Sequence, residues 1–302
     1  MILQLLTIFF NVIAPVFILV GIGYAAGRKL GLEARTLSRY AYFILVPVYV
    51  FNVISTAVIE TNLALRMIGY IIVVHLAAAG VAYGVARVGK RPFPMIAAYI
   101  LIAVFGNTGN FGLPLIEFQI GEDAILLATV YMLALTLSAF VIGVAVANWQ
   151  KGGRIRAITA VVKTPAIIAI LPALLVNYTG VEMPLLVTRV TGLLSGAMIP
   201  TMLVALGVQL STIGKIKIDR DVITASAIRL LAAPLLAMLI AVPFGITGHA
   251  RDVGVLQSAM PAAVLTTIIA MEHDLIPNFV TTAVLFSTLA SVITLTFLMS
   301  IL

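Results

Sequence analysis

Apolar residues fall in long blocks along this chain, and polar residues gather in the short gaps between them. A helix that crosses a bilayer needs about 20 mostly apolar residues. Ten blocks qualify, at roughly 2–26, 38–57, 65–87, 94–119, 124–148, 163–179, 184–210, 221–245, 252–270 and 278–301. The pattern predicts an all-α polytopic membrane protein with ten transmembrane helices and no inserted soluble domain. The first block resembles a secretory signal only in position. No Lys or Arg precedes Arg28, and the apolar run is longer than a signal's core, so it is read as the first span.

Span 4 departs from the pattern. "FGNTGNFGLPL" (Phe105 to Leu115) places Gly106, Gly109, Gly112, Asn107, Asn110 and Pro114 in the middle of an apolar run. Glycine and proline disfavour a helix interior by about 1 and 3 kcal/mol. In hydrocarbon every loose backbone amide or carbonyl is costly. This density of breakers predicts a deliberate interruption rather than a simple proline kink.

The two halves of the chain echo each other. Thr164-Pro165 lies 150 residues after Ala14-Pro15, Gly180 in "GVEM" 149 after Gly31 in "GLEA", and Pro200 153 after Pro47. "GED" at Gly121 aligns with "EHD" at Glu272. The repeated unit holds five spans, an odd number, so the second copy is inverted. The expected organisation is a first five-helix repeat over 1–148, a short cytoplasmic linker over 149–162 and a second repeat over 163–302. Inverted repeats characterise secondary transporters. The repeat also names a partner for the span 4 break: "QSAMPAA" (Gln257 to Ala263) in span 9, centred on Pro261.

Composition agrees. The 302 residues are 62% hydrophobic and 10% charged, against about 25% charged in a soluble protein. With no cysteine, disulfide frameworks, thiolate metal sites and cysteine nucleophiles are excluded. The net charge of +7 does not indicate nucleic acid, because the basic residues cluster at alternate junctions. Arg28, Lys29, Arg35 and Arg39, then Arg87, Lys90 and Arg91, then Lys151, Arg154, Arg156 and Lys163, then Lys215, Lys217 and Arg220 share one side. Glu60, Glu122, Asp123 and Glu182 lie opposite, with Arg66 and Arg251 as exceptions. The junction near Glu272 to Asp274 is acidic and breaks the pattern. The basic side is cytoplasmic, which puts both termini outside a cell membrane (the inner one where there are two).

A broken helix exposes the N–H groups of its second half and the carbonyls of its first. Half-helix N-termini carry partial positive charge and attract anions. If spans 4 and 9 cross at their breaks, Asn107 and Asn110 add neutral donors and acceptors, a setting that suits a carboxylate. The opposing carbonyl ends could hold a cation, helped by Gln257 or Ser258. His75 and Glu117 are further candidates for coupling to Na+ or H+, since ionisable groups inside spans are functional by default. For His75 the alternative is a hydrogen-bonded core histidine; for Glu117 it is an outer vestibule. Arg229 either balances the substrate's charge or snorkels to the interface. Asn52 could face the site from span 2. The glycines and alanines of spans 3 ("AAAGVAYG") and 8 are expected to be a close-packing surface rather than chemistry. His75, His249 and His273 are scattered, and no metal or nucleotide motif is present, so no cofactor is expected.

Several stretches resemble the auxin efflux carrier family, which includes the plant PIN-FORMED carriers and bacterial malonate and malate permeases. They are "VPVYVFNVIST" (Val46 to Thr56), "NTGNFGLPL" with its step from Asn107 to Pro114, "IRLLAAP" (Ile228 to Pro234) and the region Ala259 to Leu289. The resemblance implies a fold of the sodium/proton antiporter and bile-acid symporter type. Spans 1, 2, 6 and 7 would form a scaffold, and spans 3–5 and 8–10 a transport domain moving by an elevator mechanism. It also implies a homodimer, and substrate contacts from Asn107 and the residues around Pro114 and Pro261. The substrate-site candidates are then Asn107, Asn110, Gly112, Pro114, Pro261 and Asn52. This chain lacks the long loop of the plant carriers. It has Met271 and Ala262 where they carry lysine and glutamine, which argues against auxin itself.

The expected function is secondary transport of small organic anions such as malonate or malate. The alternative is a sodium or proton antiporter of the same fold with no organic substrate. That alternative calls for paired aspartates where Asn107 and Asn110 stand. An intramembrane enzyme would need a Ser/His, Asp-pair or metal constellation that the spans do not contain.

Overall fold

The computed structural model describes residues 2–57, 60–147, 165–212, 217–272 and 275–302. The linker expected over 149–162 lies outside the described residues, as do the basic residues Lys151, Arg154, Arg156, Lys163 and Lys215. The described residues are helical throughout, apart from one isolated bridge and the turns. In chain order they form α1 (Ile2–Leu30), α2 (Ala34–Thr56), α3 (Thr61–Val88), α4a (Phe93–Val104), α4b (Thr108–Gln119), α5 (Ile125–Ala147) and α6 (Pro165–Thr179). Then come α7 (Leu185–Ser211), α8 (Arg220–Ala241), α9a (Gly248–Ser258), α9b (Leu265–Glu272) and α10 (Pro277–Ile301).

Six of these, α1, α2, α3, α7, α8 and α10, are long and apolar enough to cross a membrane. Helices α4a and α6 are apolar but shorter. Outward faces carry large apolar side chains, such as Phe10, Leu171, Leu193 and Phe297. This is the surface a lipid solvent favours, and it would be a liability in water.

Four helices contain a π turn, and each turn ends two residues before a proline. The turns are Phe9–Ile13 before Pro15, Ala41–Leu45 before Pro47, Thr108–Gly112 before Pro114, and Ile228–Ala232 before Pro234. Proline lacks an N–H and its ring clashes with the carbonyl four residues back. Widening that turn relieves the clash and lets the helix continue. Not every proline within a helix uses this device: Pro200, which the sequence pairs with Pro47, lies within α7 with no π turn.

Helix α1 packs closely on α7. A Cβ on Gly23 would lie 2.1 Å from the Val204 carbonyl oxygen, and one on Gly207 1.9 Å from that of Val20. Only glycines permit this approach. In contrast, Gly80 and Gly84 of "AAAGVAYG" have nothing within 4 Å. In span 3 it is the alanines Ala78 and Ala82 of this stretch that are buried, while the glycine-mediated close approach lies between α1 and α7. Helix α2 packs on α6, where the Asn177 amide donates to the Ile54, Ser55 and Ala57 carbonyls and caps the end of α2. Helix α3 packs on α4a, α5 and the second half of α8, and α10 on α8 and α9b.

Candidate functional site

Spans 4 and 9 both leave the helical path inside the protein, and the two breaks pair with each other. Gly106 and Ala262 form an antiparallel bridge. The Asn107 N–H donates to the Pro261 carbonyl at 2.8 Å, and the Ala263 N–H to the Phe105 carbonyl at 2.8 Å. Two extended segments thus satisfy one another where no water is at hand.

The span 4 break is short. Only Phe105, Gly106 and Asn107 are non-helical, and the chain re-enters a helix at Thr108. The second half-helix therefore starts at Thr108 and not at Pro114. Gly109 and Gly112 lie inside the π turn, and the helix starts six residues before the proline. Asn107 occupies the N-cap position, and its carbonyl accepts from the Phe111 and Gly112 N–H groups at 3.3 and 3.0 Å. Its side chain caps nothing: the buried Asn107 amide nitrogen has no hydrogen-bond partner. The first-turn N–H groups of α4b are thus open to another acceptor. Asn110 is half-buried in the same turn.

Gln257, at the end of α9a, is fully buried, and neither its amide oxygen nor its amide nitrogen has a partner. It lies against the π turn, since a Cβ on Gly112 would fall 2.1 Å from its Oε1. Ser258 is equally buried, but its hydroxyl donates back to the Val255 carbonyl at 2.7 Å. In α9b's approach, the Ala262 N–H is taken by the Ser287 hydroxyl of α10 at 3.2 Å.

Arg229 does not snorkel, and it meets no carboxylate among the described residues. It is fully buried in the π turn of α8, and its guanidinium donates to three carbonyls. These are Met260 (Nε, 2.7 Å), Ala103 (Nη1, 2.9 Å) and Gln257 (Nη2, 3.3 Å). Ala103 belongs to the last turn of α4a, Gln257 to the last turn of α9a, and Met260 to the break just after it. The space for the guanidinium exists because residue 106 is glycine: a Cβ there would lie 1.9 Å from Nη2.

His75 of α3 is buried. Its Nδ1 lies 2.6 Å from the Ile71 carbonyl, so Nδ1 carries the proton and donates. Its Nε2 has no partner, and its ring packs edge-on against Tyr131 of α5 at 5.8 Å, whose hydroxyl is also unpartnered. Asn52 and Glu117 are not at the crossing. They line a cavity of about 520 Å3 with Tyr49, Glu122, Ser195 and Pro200, between α2, α4b, α5 and α7. The sequence candidates therefore divide. Asn107, Gly112, Gln257, Ser258, Pro261 and Arg229 meet at the crossing, Asn110 and Pro114 belong to α4b just beyond it, and Asn52 and Glu117 border the cavity. Gly106 and Ser287 were missed. Gly106 stood in view among the breakers, whereas Ser287 sits in an unremarkable apolar run.

Comparison with known proteins decides the broader identity. A family model described as membrane transport protein matches residues 8–156 and 154–299, nearly the whole chain. The chain belongs to this family, that of the auxin efflux carriers. It is similar to an uncharacterized transporter of Methanothermobacter thermautotrophicus, 27% identical over 94% of this chain and 95% of the relative. An uncharacterized transporter of Methanocaldococcus jannaschii is 24% identical over the same shares. A probable auxin efflux carrier component of rice, 1b, is 28% identical over 38% of this chain and 21% of its own length. Family membership makes this a multi-pass membrane transporter and not an enzyme.

Proposed function

We propose that the protein is a secondary transporter of small organic anions, carboxylates such as malonate or malate, working by elevator-type alternating access. The observation that carries the reading is Asn107: an unpartnered buried amide at the head of α4b, held in place by the pairing of its backbone with Pro261. A helix N-terminus favours negative charge by about 0.3–1 kcal/mol or more when partly buried. Donors from Asn107 and the Gln257 amide can bind a carboxylate without a lysine in the site. The neutral amides Asn107 and Asn110, in place of two acids, disfavour the antiporter alternative.

On this reading the ten helical segments are spans of two inverted five-helix repeats. Helices α1, α2, α6 and α7 form the scaffold and the paired α4 and α9 belong to the moving part. The cavity bordered by Asn52 and Glu117 is the approach between the two. Glu117 and His75 are the candidates for proton coupling, and Gln257 and Ser258 stand beside the carbonyl ends that the sequence assigns to a cation. Both termini lie outside a cell membrane, and the scaffold supplies a homodimer interface.

The test is uptake of labelled malonate, malate and indole-3-acetate into liposomes under imposed sodium, proton and voltage gradients. Carboxylate uptake is expected under at least one gradient, and none under any would overturn the reading. Asn107→Ala should lower uptake by about a hundredfold with the melting temperature preserved, as loss of a buried hydrogen bond to a charged ligand implies. Unchanged uptake would remove Asn107 from the site.

A further inference from the structure

Arg229 stands where a cation would be expected. The C-terminal end of a helix carries about half a negative charge, on carbonyls that the helix cannot satisfy. Two such ends, of α4a and α9a, converge at the crossing. Two carbonyls from these ends, of Ala103 and Gln257, and that of Met260 in the break beyond α9a, point at one centre. That centre is the Arg229 guanidinium, fully buried, and neither ion pair among the described residues involves it. A buried charge without a counter-ion is costly. Here two helix dipoles and three charge-assisted hydrogen bonds stand in for the carboxylate. The opposite face of the crossing, the N-terminal side of α4b, keeps Asn107 free for a ligand.

We propose that Arg229 is the resident cation of the crossing. Its guanidinium fills the carbonyl seat between α4a and α9a, clamps the two broken helices together, and makes binding of a metal cation at that seat unnecessary for transport. Arg229 is thereby a positioning residue that does not touch the substrate. It holds the α4a end in the register that sets Asn107 opposite Pro261. Gly106 is part of the same device, because any side chain at 106 would occupy the space of Nη2. Ser258, whose hydroxyl is turned to its own helix, is not needed at the seat.

The uptake arm of the test rests on the carboxylate reading above; the melting arm does not. Wild-type protein should take up carboxylate equally in sodium and in choline media. Its melting temperature should not respond to sodium or to millimolar guanidinium. Arg229→Ala should lose transport by about tenfold or more, the scale for a charge-assisted hydrogen bond. Guanidinium should restore part of that rate and raise the variant's melting temperature above the wild type's response. Arg229→Gln keeps volume and amide donors and serves if the alanine variant does not fold; its uptake should become dependent on an added monovalent cation. A sodium requirement in the wild type would overturn the inference. So would an Arg229→Ala protein with the wild-type rate, or one whose melting temperature ignores guanidinium. If the wild type carries no carboxylate but Arg229→Ala is stabilised by guanidinium, the resident cation stands and the substrate reading falls.

Discussion

Span 4 leaves the helix for three residues, 105–107, and span 9 for six, 259–264. Both must hide unpaired backbone in a place without water, but they do so differently. The span 4 break carries its own means of return. Asn107 stands at the head of a π turn that absorbs Gly109 and Gly112 and delivers the chain to Pro114. The span 9 break depends on its neighbours. Arg229 of α8 binds its Gln257 and Met260 carbonyls, Ser287 of α10 binds its Ala262 N–H, and Phe105 accepts from Ala263. The span 4 break, which leans on its neighbours through the Asn107 N–H and the Phe105 and Ala103 carbonyls, leaves a polar side chain to spare at Asn107. The dependent break leaves one at Gln257. A pair of breaks thus divides the work, with the carbonyl side closed by arginine and the amide side open to a ligand.

The largest effect should come from Gly106→Ala, which sets a methyl 1.9 Å from Nη2 and forces the guanidinium off its carbonyls. Leaving a buried charge uncompensated costs about 3–5 kcal/mol, so a large fall in melting temperature and loss of uptake are expected. A normal melting curve would show that the two breaks do not depend on the arginine. Gln257→Leu separates stability from function. Removing an unpartnered buried amide should stabilise the fold by about 1–3 kcal/mol, raising the melting temperature while uptake falls. A lower melting temperature would mean that the amide serves the fold, and the division of labour would fail. Ser287→Ala is the mildest change. Freeing the Ala262 N–H should cost about 1 kcal/mol, seen as a small drop in melting temperature and faster amide exchange in span 9 but not in span 4. Equal change in both spans would erase the difference between the breaks.

Much of this was legible in the chain before any coordinates. The apolar blocks mark the helices because a helix is the one element that satisfies its backbone alone in hydrocarbon. The helix ends moved by a few residues: α1 runs to Leu30, past the expected 26, and stops where Gly31 turns left-handed at φ 64°. The break in span 4 was visible because glycine and proline act locally. Its inner detail was not, since Pro114 looks like the start of a helix, and only a π turn lets the helix begin earlier. Small residues were legible only in part for a related reason. Composition shows that small residues allow close approach but not which neighbour approaches: in "AAAGVAYG" the buried ones are Ala78 and Ala82, and the tight glycine contacts are at Gly23 and Gly207.

The sequence by itself determined the membrane class, the family, the positions of both breaks and most of the residues that meet there. These follow from hydrophobic period, backbone propensity and local motif, which are short-range properties. Only the tertiary structure decided what Arg229 does, and that Gly106 must be small and Ser287 polar. Arg229 lies more than a hundred residues from Ala103 and about thirty from Gln257 and Met260. A hydrogen bond needs its partners within about 3 Å, and no local pattern encodes which distant carbonyls will converge on a buried charge.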